Sequence, residues 1–340
     1  SLQTMFRVFT LFLIGSLFAN SYKILVYNPS IGHSHSKFLG QIADILAEAG
    51  HDVTSLVSVM DPHVSEETHL SKIIKVQPSD ATSKLFERLV QTKTDMFTMN
   101  AFDPVGIYSV SKFVTELFTT QCKALLNEEG LVQKLKEEKF DVMFAEHFDM
   151  CGVGLFEVIK PRSLISVATS APSGHQKDEF GIPPSHSSDP VYYSTKTASH
   201  SMWQRIVNIY GDLISRLAFS TTRTAVNELF KKKYGPSFPT MEQISSNSAY
   251  VFTNTEPLID YALPSISKVI PIGGIGLKKP KKLTEDWERI LSKRNQTVLF
   301  SFGSIAKSSF LPLNVKMSIF ETMKALPHVT FIWKYEVDDD

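Results

Sequence analysis

The arrangement of residues 23–59 constrains the fold more than any other feature of the chain. Residues 23–27 form a short, apolar, β-branched run that is typical of a buried strand. Apolar residues then recur at three- and four-residue spacing and predict one face of a helix that ends near Gly50. Residues 53–59 predict the next strand. Because strand, helix and strand form a βαβ unit, we expect an α/β fold with a parallel sheet covered by helices.

The alternation continues through most of the chain. Helical patterns cover residues 83–93, 110–127, 151–159 and 203–233, and strand patterns cover residues 140–145, 163–168 and 250–254. Residues 172–200 are rich in Pro, Ser, His and Gly and predict a long surface loop.

A length of 340 residues favours two domains. Residues 22–276 are expected to form a first Rossmann-like domain, and residues 277–296 a linker whose basic run is most typical of a solvated face. A second βαβ pattern then begins and reaches the last residues of the chain. One such unit cannot bury both faces of a sheet, so we expect residues 297–340 to be the truncated start of a second Rossmann-like domain.

Residues 5–21 have the pattern of a secretory signal peptide. A basic start precedes the apolar residues 8–18, and small residues follow at positions 19–21. The apolar run is too short to span a bilayer, which needs about 20 residues. A buried N-terminal strand or helix is the alternative. In a secretory compartment, Asn295 would be an N-glycosylation acceptor.

Charge and motifs exclude several functions. The formal net charge is zero, so no nucleic-acid partner is expected. The sequence contains no zinc, calcium or CxxC motif, and we expect no metal site. It also lacks GxGxxG, the Walker P-loop and the GxSxG serine motif. Two cysteines, Cys122 and Cys151, are too few for a disulfide scaffold, although one bridge can form.

The loop of residues 28–36 carries two candidate bases. Ligands of open parallel sheets bind beyond the carboxyl ends of the strands, where this loop lies. His33 and His35 stand near the start of the predicted helix, with Ser34 or Ser36 as its N-cap. The helix dipole favours a neutral imidazole, the form that a general base needs. Spacing alone does not choose between the histidines or exclude ordinary loop roles.

Two other strand ends carry candidate site residues. After the strand at 140–145, Glu146 or Asp149 is placed to orient a histidine, although an exposed loop acid is the alternative. His147 has no evident partner. Gly303-Ser304 precedes a predicted helix, where backbone N–H groups suit a phosphate, but the motif is short.

The order and spacing of these segments resemble the UDP-glycosyltransferases, in particular the animal UDP-glucuronosyltransferases of the endoplasmic reticulum. The resemblance covers nearly all of residues 22–340. It rests on residues 22–61, 140–152, 270–275, 298–304 and 331–335.

This resemblance implies a GT-B architecture, in which two Rossmann-like domains face each other across a cleft. The first would bind a small lipophilic acceptor and the second a UDP-sugar, UDP-glucuronate or UDP-glucose, as co-substrate without a bound cofactor. His35 takes the place of the family's Ser-His histidine and would be the general base of an inverting sugar transfer. Glu146 stands where the family usually has aspartate, and Asp149 is the second candidate.

The resemblance also assigns the donor side. Gly303 and Ser304 would meet the UDP phosphates, and Trp333 and Lys334 would lie near the nucleotide pocket. The family's later donor motifs and C-terminal membrane helix do not occur in the chain. We therefore expect a fragment that binds UDP-sugar poorly, taken from a membrane-anchored protein of the endoplasmic reticulum lumen. A homo-oligomeric assembly is left open.

Two features of the first domain complete these expectations. The aromatic-rich helix at 110–127 and the loop at 172–200 are expected to shape an apolar acceptor pocket, with Tyr108 and Phe148 as wall residues. For Phe148, packing in the core is an equal alternative. Cys122 and Cys151 match family cysteines, and a bridge and two buried thiols remain equal alternatives.

Two other functions compete with sugar transfer. A lumenal or secreted binding protein would use the acceptor pocket alone. A nicotinamide-dependent oxidoreductase would also have doubly wound domains, but the missing glycine fingerprint argues against it.

Overall fold

A seven-stranded parallel sheet forms the centre of the larger part of the computed structural model, which describes residues 21–64, 68–91, 97, 103–185, 201–260, 264–303 and 306–337. The strand order is β3-β2-β1-β4-β5-β6-β7, and every neighbouring pair is parallel. The strands are β1 (Lys23–Ser30), β2 (Asp52–Val59), β3 (Lys72–Val76), β4 (Val142–Glu146), β5 (Ser163–Ala168), β6 (Tyr250–Thr253) and β7 (Val269–Pro271).

Helices connect most of these strands and cover both faces of the sheet. They are α1 (His33–Glu48), α2 (Asp80–Gln91), α3 (Pro104–Asn127), α4 (Leu131–Glu137), α5 (Cys151–Ile159), α6 (Gly174–Phe180), α7 (Met202–Tyr234) and α8 (Met241–Ser246). The α/β prediction is confirmed.

Strand β1 contributes side chains to both cores, because successive residues of a strand point to opposite faces. Leu25 and Tyr27 belong to the larger core, which α3, α5 and α7 help to form. Ile24 and Val26 pack in the second core with helix α1. The strand is thus buried on both faces, which explains its continuous apolar run.

The order of the strands places a crevice between β1 and β4. From β1 the chain proceeds outward to β2 and β3, and β4 then returns to the opposite side of β1. Such a reversal separates the loops that follow the two strands and opens a ligand crevice at their carboxyl ends. The loop after β1 carries His35, and β4 ends at Glu146.

Three helices differ from the sequence expectations. Helix α3 starts at Pro104, earlier than the predicted position 110, because Asp103 caps it and proline is compatible with its first turn. Helix α6 lies inside the predicted 172–200 loop, where the capping box of Ser173 and Gln176 starts it; residues 186–200 lie outside the described residues. Helix α9 (Glu285–Leu291) lies inside the predicted linker and is capped by Thr284.

A second, smaller unit follows α9. Strands β8 (Gln296–Phe300) and β9 (Val329–Trp333) pair in parallel, with helix α10 (Leu313–Ala325) between them. The predicted second βαβ unit is therefore present. The domain limits 22–276, 277–296 and 297–340 stay predictions.

Features expected of a secretory protein are described only in part. The predicted signal peptide, residues 5–21, lies outside the described residues except for Ser21. Asn295 is exposed just before β8. Within the described ranges, none of the helices has both the length and the apolar character required to cross a bilayer.

A disulfide joins helices α3 and α5. Cys122 and Cys151 are bridged, with their Cα atoms 5.6 Å apart, and both are buried in the larger core. The bridge closes 29 residues of sequence and holds α3 against the start of α5. The sequence left open a disulfide bridge or two buried thiols, and the structure contains the bridge.

Replacing both cysteines with alanine should lower the free energy of unfolding by about 3–4 kcal/mol, because the unfolded chain is no longer restricted by the closed loop. Urea denaturation of the oxidised protein and the double variant measures this difference. Wild-type protein unfolded under reducing conditions is the control and should resemble the variant. A loss below about 1 kcal/mol would show that the bridge contributes little.

Candidate active site

His35 reaches the crevice from the first turn of helix α1. The helix begins at His33, and its N-cap is Gly32, whose backbone is extended. The prediction that Ser34 or Ser36 caps this helix is therefore wrong. Ser36 is buried instead and donates a hydrogen bond to Ser30 at the end of β1, over 3.2 Å.

His35 and Glu146 form a close pair between the ends of β1 and β4. His35 Nδ1 lies 2.5 Å from Glu146 Oε1. Thr169, just after β5, donates a hydrogen bond to the same oxygen over 2.6 Å, and its hydroxyl lies 3.1 Å from His35 Nδ1. Because a carboxylate can only accept, the imidazole hydrogen belongs on Nδ1. The second ring nitrogen, Nε2, is then left to accept a proton.

The surroundings of His35 act on its pKa in opposite directions. Burial lowers the pKa, but the Glu146 carboxylate, through its charge and hydrogen bond, more than offsets burial and raises the pKa overall. The expectation that the helix dipole keeps His35 neutral therefore left out the Glu146 carboxylate, which favours the protonated imidazole. Glu146 is 1% exposed and stabilises the imidazolium that forms when His35 takes up a proton.

The carboxylate of Asp149 forms its hydrogen bonds with other groups than His35. Tyr27 donates a hydrogen bond to its carboxylate over 2.5 Å, and the backbone N–H of Cys151 donates another over 3.1 Å. Within the described ranges, no hydrogen bond or ion pair connects Asp149 with His35. Burial raises the pKa of Asp149 to about 7, while the Tyr27 hydrogen bond opposes this shift. The structure thus brings Glu146, rather than Asp149, to the histidine.

A cavity of about 330 Å³ opens beside the pair, and both His35 and Glu146 line it. Phe148 also lines it, with its ring centroid 4.8 Å from that of His35. The apolar part of the wall is formed by Ile107, Val110, Val114, Phe118, Phe148, Val167, Ala168, Ala218 and Phe219.

Tyr108 was a predicted wall residue, but it does not line this cavity and is 55% exposed. Residues 107, 110, 111, 114 and 118 follow the helical repeat along one face of α3, and position 108 lies about 100° away from position 107. Tyr108 therefore lies off the face of α3 that lines this cavity.

Three of the predicted donor residues, Gly303, Trp333 and Lys334, are described in the second unit. Lys334 donates a hydrogen bond from Nζ to the carbonyl of Gly303 over 2.7 Å, and Gly303 has a positive φ of 88°. The indole N–H of Trp333 donates to Ser308 over 3.0 Å. Ser304 lies outside the described residues.

Sequence reasoning missed several residues around the cavity. Thr169 follows β5 at the same sheet edge as Glu146. Its position directly after a predicted strand is the sequence feature that could have indicated it. His147 does have a partner: its Nδ1 lies 3.3 Å from Glu179 Oε2, and its Nε2 lies 2.9 Å from the Ser166 hydroxyl. No local pattern connects His147 with Glu179, because they are distant in sequence.

In the described part of the chain, no group of three His, Cys, Asp or Glu residues is arranged to hold a metal ion.

Solved structures with a similar fold define the class. The glycotransferase of kitacinnamycin matches 94% of this chain and 67% of its own, with a TM-score of 0.55 and 11% identity. The glycosyltransferase SnogD from Streptomyces nogalater matches 94% of this chain and 68% of its own, with a TM-score of 0.50 and 11% identity. The fold is therefore that of the GT-B glycosyltransferases.

Sequence comparison specifies the family. The model of the family "UDP-glucoronosyl and UDP-glucosyl transferase" matches residues 22–339, and the chain belongs to this family. Putative UDP-glucuronosyltransferase ugt-56 of Caenorhabditis elegans is 32% identical over 95% of the chain. Human UDP-glucuronosyltransferase 3A1 is 27% identical over 86% of the chain. The chain spans 62% of the length of the worm relative and 55% of the human one.

Proposed function

We propose that this chain supplies the acceptor-binding part and the general base of an inverting UDP-glycosyltransferase that acts on hydroxyl groups of small lipophilic molecules. The observation that carries the proposal is the His35–Glu146 pair on the wall of a cavity that also has an apolar side. Family membership supports a UDP-sugar as the donor. The resemblance to UDP-glucuronosyltransferases favours glucuronate over glucose as the transferred sugar.

The proton transfer follows from the orientation of the imidazole. With Nδ1 held by Glu146, Nε2 of His35 removes the proton from the acceptor hydroxyl. The acceptor oxygen forms a bond to the anomeric carbon as the bond from that carbon to the diphosphate oxygen breaks. UDP leaves with the electron pair, and the configuration at the anomeric carbon inverts.

Glu146 and Thr169 hold the base in this orientation. Glu146 stabilises the positive charge that develops on His35, as the acid does in any histidine–acid pair. Thr169 bonds the same carboxylate oxygen and fixes its position. Burial strengthens both interactions, because little water competes with them.

The donor side of the proposal uses the second unit. Gly303 and Ser304 would meet the UDP phosphates, and Trp333 and Lys334 would lie beside the nucleotide. The hydrogen bond from Lys334 to Gly303 supports this placement, because it brings a cation to the loop after β8. No metal ion is required if backbone N–H groups and this cation bind the diphosphate.

We further propose that the protein works in the lumen of the secretory pathway. The buried Cys122–Cys151 bridge supports this, because disulfides persist in oxidising compartments. The exposed Asn295 sequon is compatible with glycosylation there. Detoxification of lipophilic compounds and membrane anchoring follow from the resemblance alone.

The proposal is tested by incubating the full-length protein with UDP-glucuronate or UDP-glucose and a panel of phenols. Mass spectrometry should detect a phenyl glycoside, and the coupling constant of its anomeric proton in the NMR spectrum should show the inverted configuration. If neither donor yields a product with any phenol, the proposed activity is wrong.

The pH dependence of kcat/KM should show the base directly. Only neutral His35 can accept the acceptor proton, so kcat/KM should rise with pH and level off above the pKa of His35. Because Glu146 raises that pKa, the midpoint should lie above the ordinary value of about 6.5. In Glu146→Gln the midpoint should fall below that of the wild type, since burial still lowers the pKa and the opposing charge is gone. An unchanged midpoint would contradict the pairing.

A further inference from the structure

The acceptor cavity is lined by further polar side chains besides the His35–Glu146 pair, and His175 is one of them. His175, on helix α6, lines the cavity and is 7% exposed. Its ring stacks on Phe219, with a centroid distance of 4.6 Å and an interplanar angle of 17°. The proposed sugar transfer does not use this histidine.

One nitrogen of His175 is engaged, and the other is available. The hydroxyl of Ser173 lies 2.9 Å from His175 Nδ1 and 3.3 Å from Gln176 Oε1. A hydroxyl has one hydrogen to donate, and the 3.3 Å contact with Gln176 Oε1 is longer than an ordinary O–H···O hydrogen bond, so the hydroxyl hydrogen is assigned to Nδ1. The ring hydrogen then belongs on Nε2, which has no hydrogen-bond partner among the residues that the structure describes.

A second donor lies beside it. Gln176 also lines the cavity, and its Oε1 accepts a hydrogen bond from the backbone N–H of Ser173 over 2.9 Å. This bond assigns the carbonyl end of the amide and leaves its NH₂ group as a donor. Both potential donors therefore belong to adjacent residues on one short helix.

Helix α6 is firmly held, so these donors are preorganised. The buried Glu179 lies 3.3 Å from His147 of the sheet edge and 3.1 Å from Arg223 of helix α7. Burial lowers the pKa of His175 to about 4, so its imidazole is neutral at pH 7 and offers a hydrogen bond without a charge.

We propose that His175, assisted by Gln176, is a specificity-determining residue that binds a neutral carbonyl oxygen on the acceptor. The preferred acceptor class is then an apolar molecule that carries two oxygens with different tasks. Its hydroxyl faces His35 and receives the sugar, and its carbonyl oxygen accepts hydrogen bonds from His175 and Gln176. This inference rests on the proposed function, because it takes the cavity to be the acceptor site.

Binding of two matched probes to the full-length protein without UDP-sugar tests the inference. 4-Hydroxybenzophenone has the required hydroxyl and carbonyl, and 4-benzylphenol replaces its carbonyl with a methylene group. Isothermal titration calorimetry at pH 7 should give about tenfold tighter binding of the ketone, as one net hydrogen bond predicts. Equal affinities, weaker binding of the ketone or no binding of either probe would overturn the inference.

His175→Phe keeps a ring against Phe219 and removes both nitrogens. In this variant the preference for the ketone should fall to within about twofold, while benzylphenol binds as in the wild type. His63→Phe, an exposed histidine that does not line the cavity, is the matched control and should keep the preference. A preference that persists in His175→Phe would overturn the assignment. If that variant does not fold, the two probes on the wild-type protein still decide.

The inference and the proposed function fail in different ways. Sugar transfer to phenols without a ketone preference would remove the role of His175 and leave the activity intact. A ketone preference that depends on His175, in a protein that transfers no sugar from either donor, would remove the activity and leave the binding site.

Discussion

Replacing His35 with alanine in the full-length protein should reduce turnover by about 10²- to 10⁴-fold, because the acceptor hydroxyl loses its general base. Acceptor binding should change little, since the apolar wall of the cavity remains. Initial rates at saturating UDP-sugar measure the first effect, and calorimetry with the acceptor alone measures the second.

His33→Ala is the matched control for this experiment. His33 lies two residues earlier on the same helix turn, and it is exposed. Its replacement should leave turnover within about twofold. Equal losses in the two variants would indicate a general disturbance of helix α1, and unchanged turnover in His35→Ala would remove the assignment of the base.

Replacing Glu146 with glutamine should reduce turnover by roughly 10²- to 10⁴-fold, because the imidazole loses both its orienting partner and the charge that stabilises its protonated form. The substitution preserves the size of the side chain, so thermal stability should change little. Steady-state rates across pH 6–9 measure the loss and separate it from the accompanying change in midpoint.

Asp149→Asn distinguishes the two carboxylates. Asp149 binds Tyr27 and the N–H of Cys151, so its replacement should act on stability, by about 1–2 kcal/mol, and leave turnover within about tenfold. A larger loss of turnover in Asp149→Asn than in Glu146→Gln would reverse their proposed roles.

Much of the fold could be predicted from the sequence because the sheet is buried on both faces. Strands such as β1 and β4 then appear as short apolar runs, and the helices between them show a regular apolar face. The short helices α6 and α9 were missed because they occur in segments whose composition indicates loop or linker. Their signals were local instead: Ser173 with Gln176 forms a capping box, and Thr284 is an N-cap.

The candidate site could be predicted only as far as the sheet edge determines it. Parallel strands bring the residues that follow them to one crevice, and this placed His35 and Glu146 close together. Which carboxylate meets the histidine depends on side-chain packing: the Tyr27 hydroxyl binds Asp149, and the Thr169 hydroxyl binds Glu146. His175 was not singled out, because its importance depends on the cavity and not on any sequence pattern.

The two halves of helix α3 differ in burial. From Leu117 onward one face of the helix is buried in the core, and the disulfide of Cys122 links that half to helix α5. The preceding half is less buried and presents Ile107, Val110 and Val114 to the cavity. Ile107 and Val110 are only half-buried, so they can be exchanged at a smaller cost to stability than the buried Leu117 and Phe118. Substitutions at these positions could therefore change the preferred acceptor, in evolution or by engineering, with little loss of folding stability.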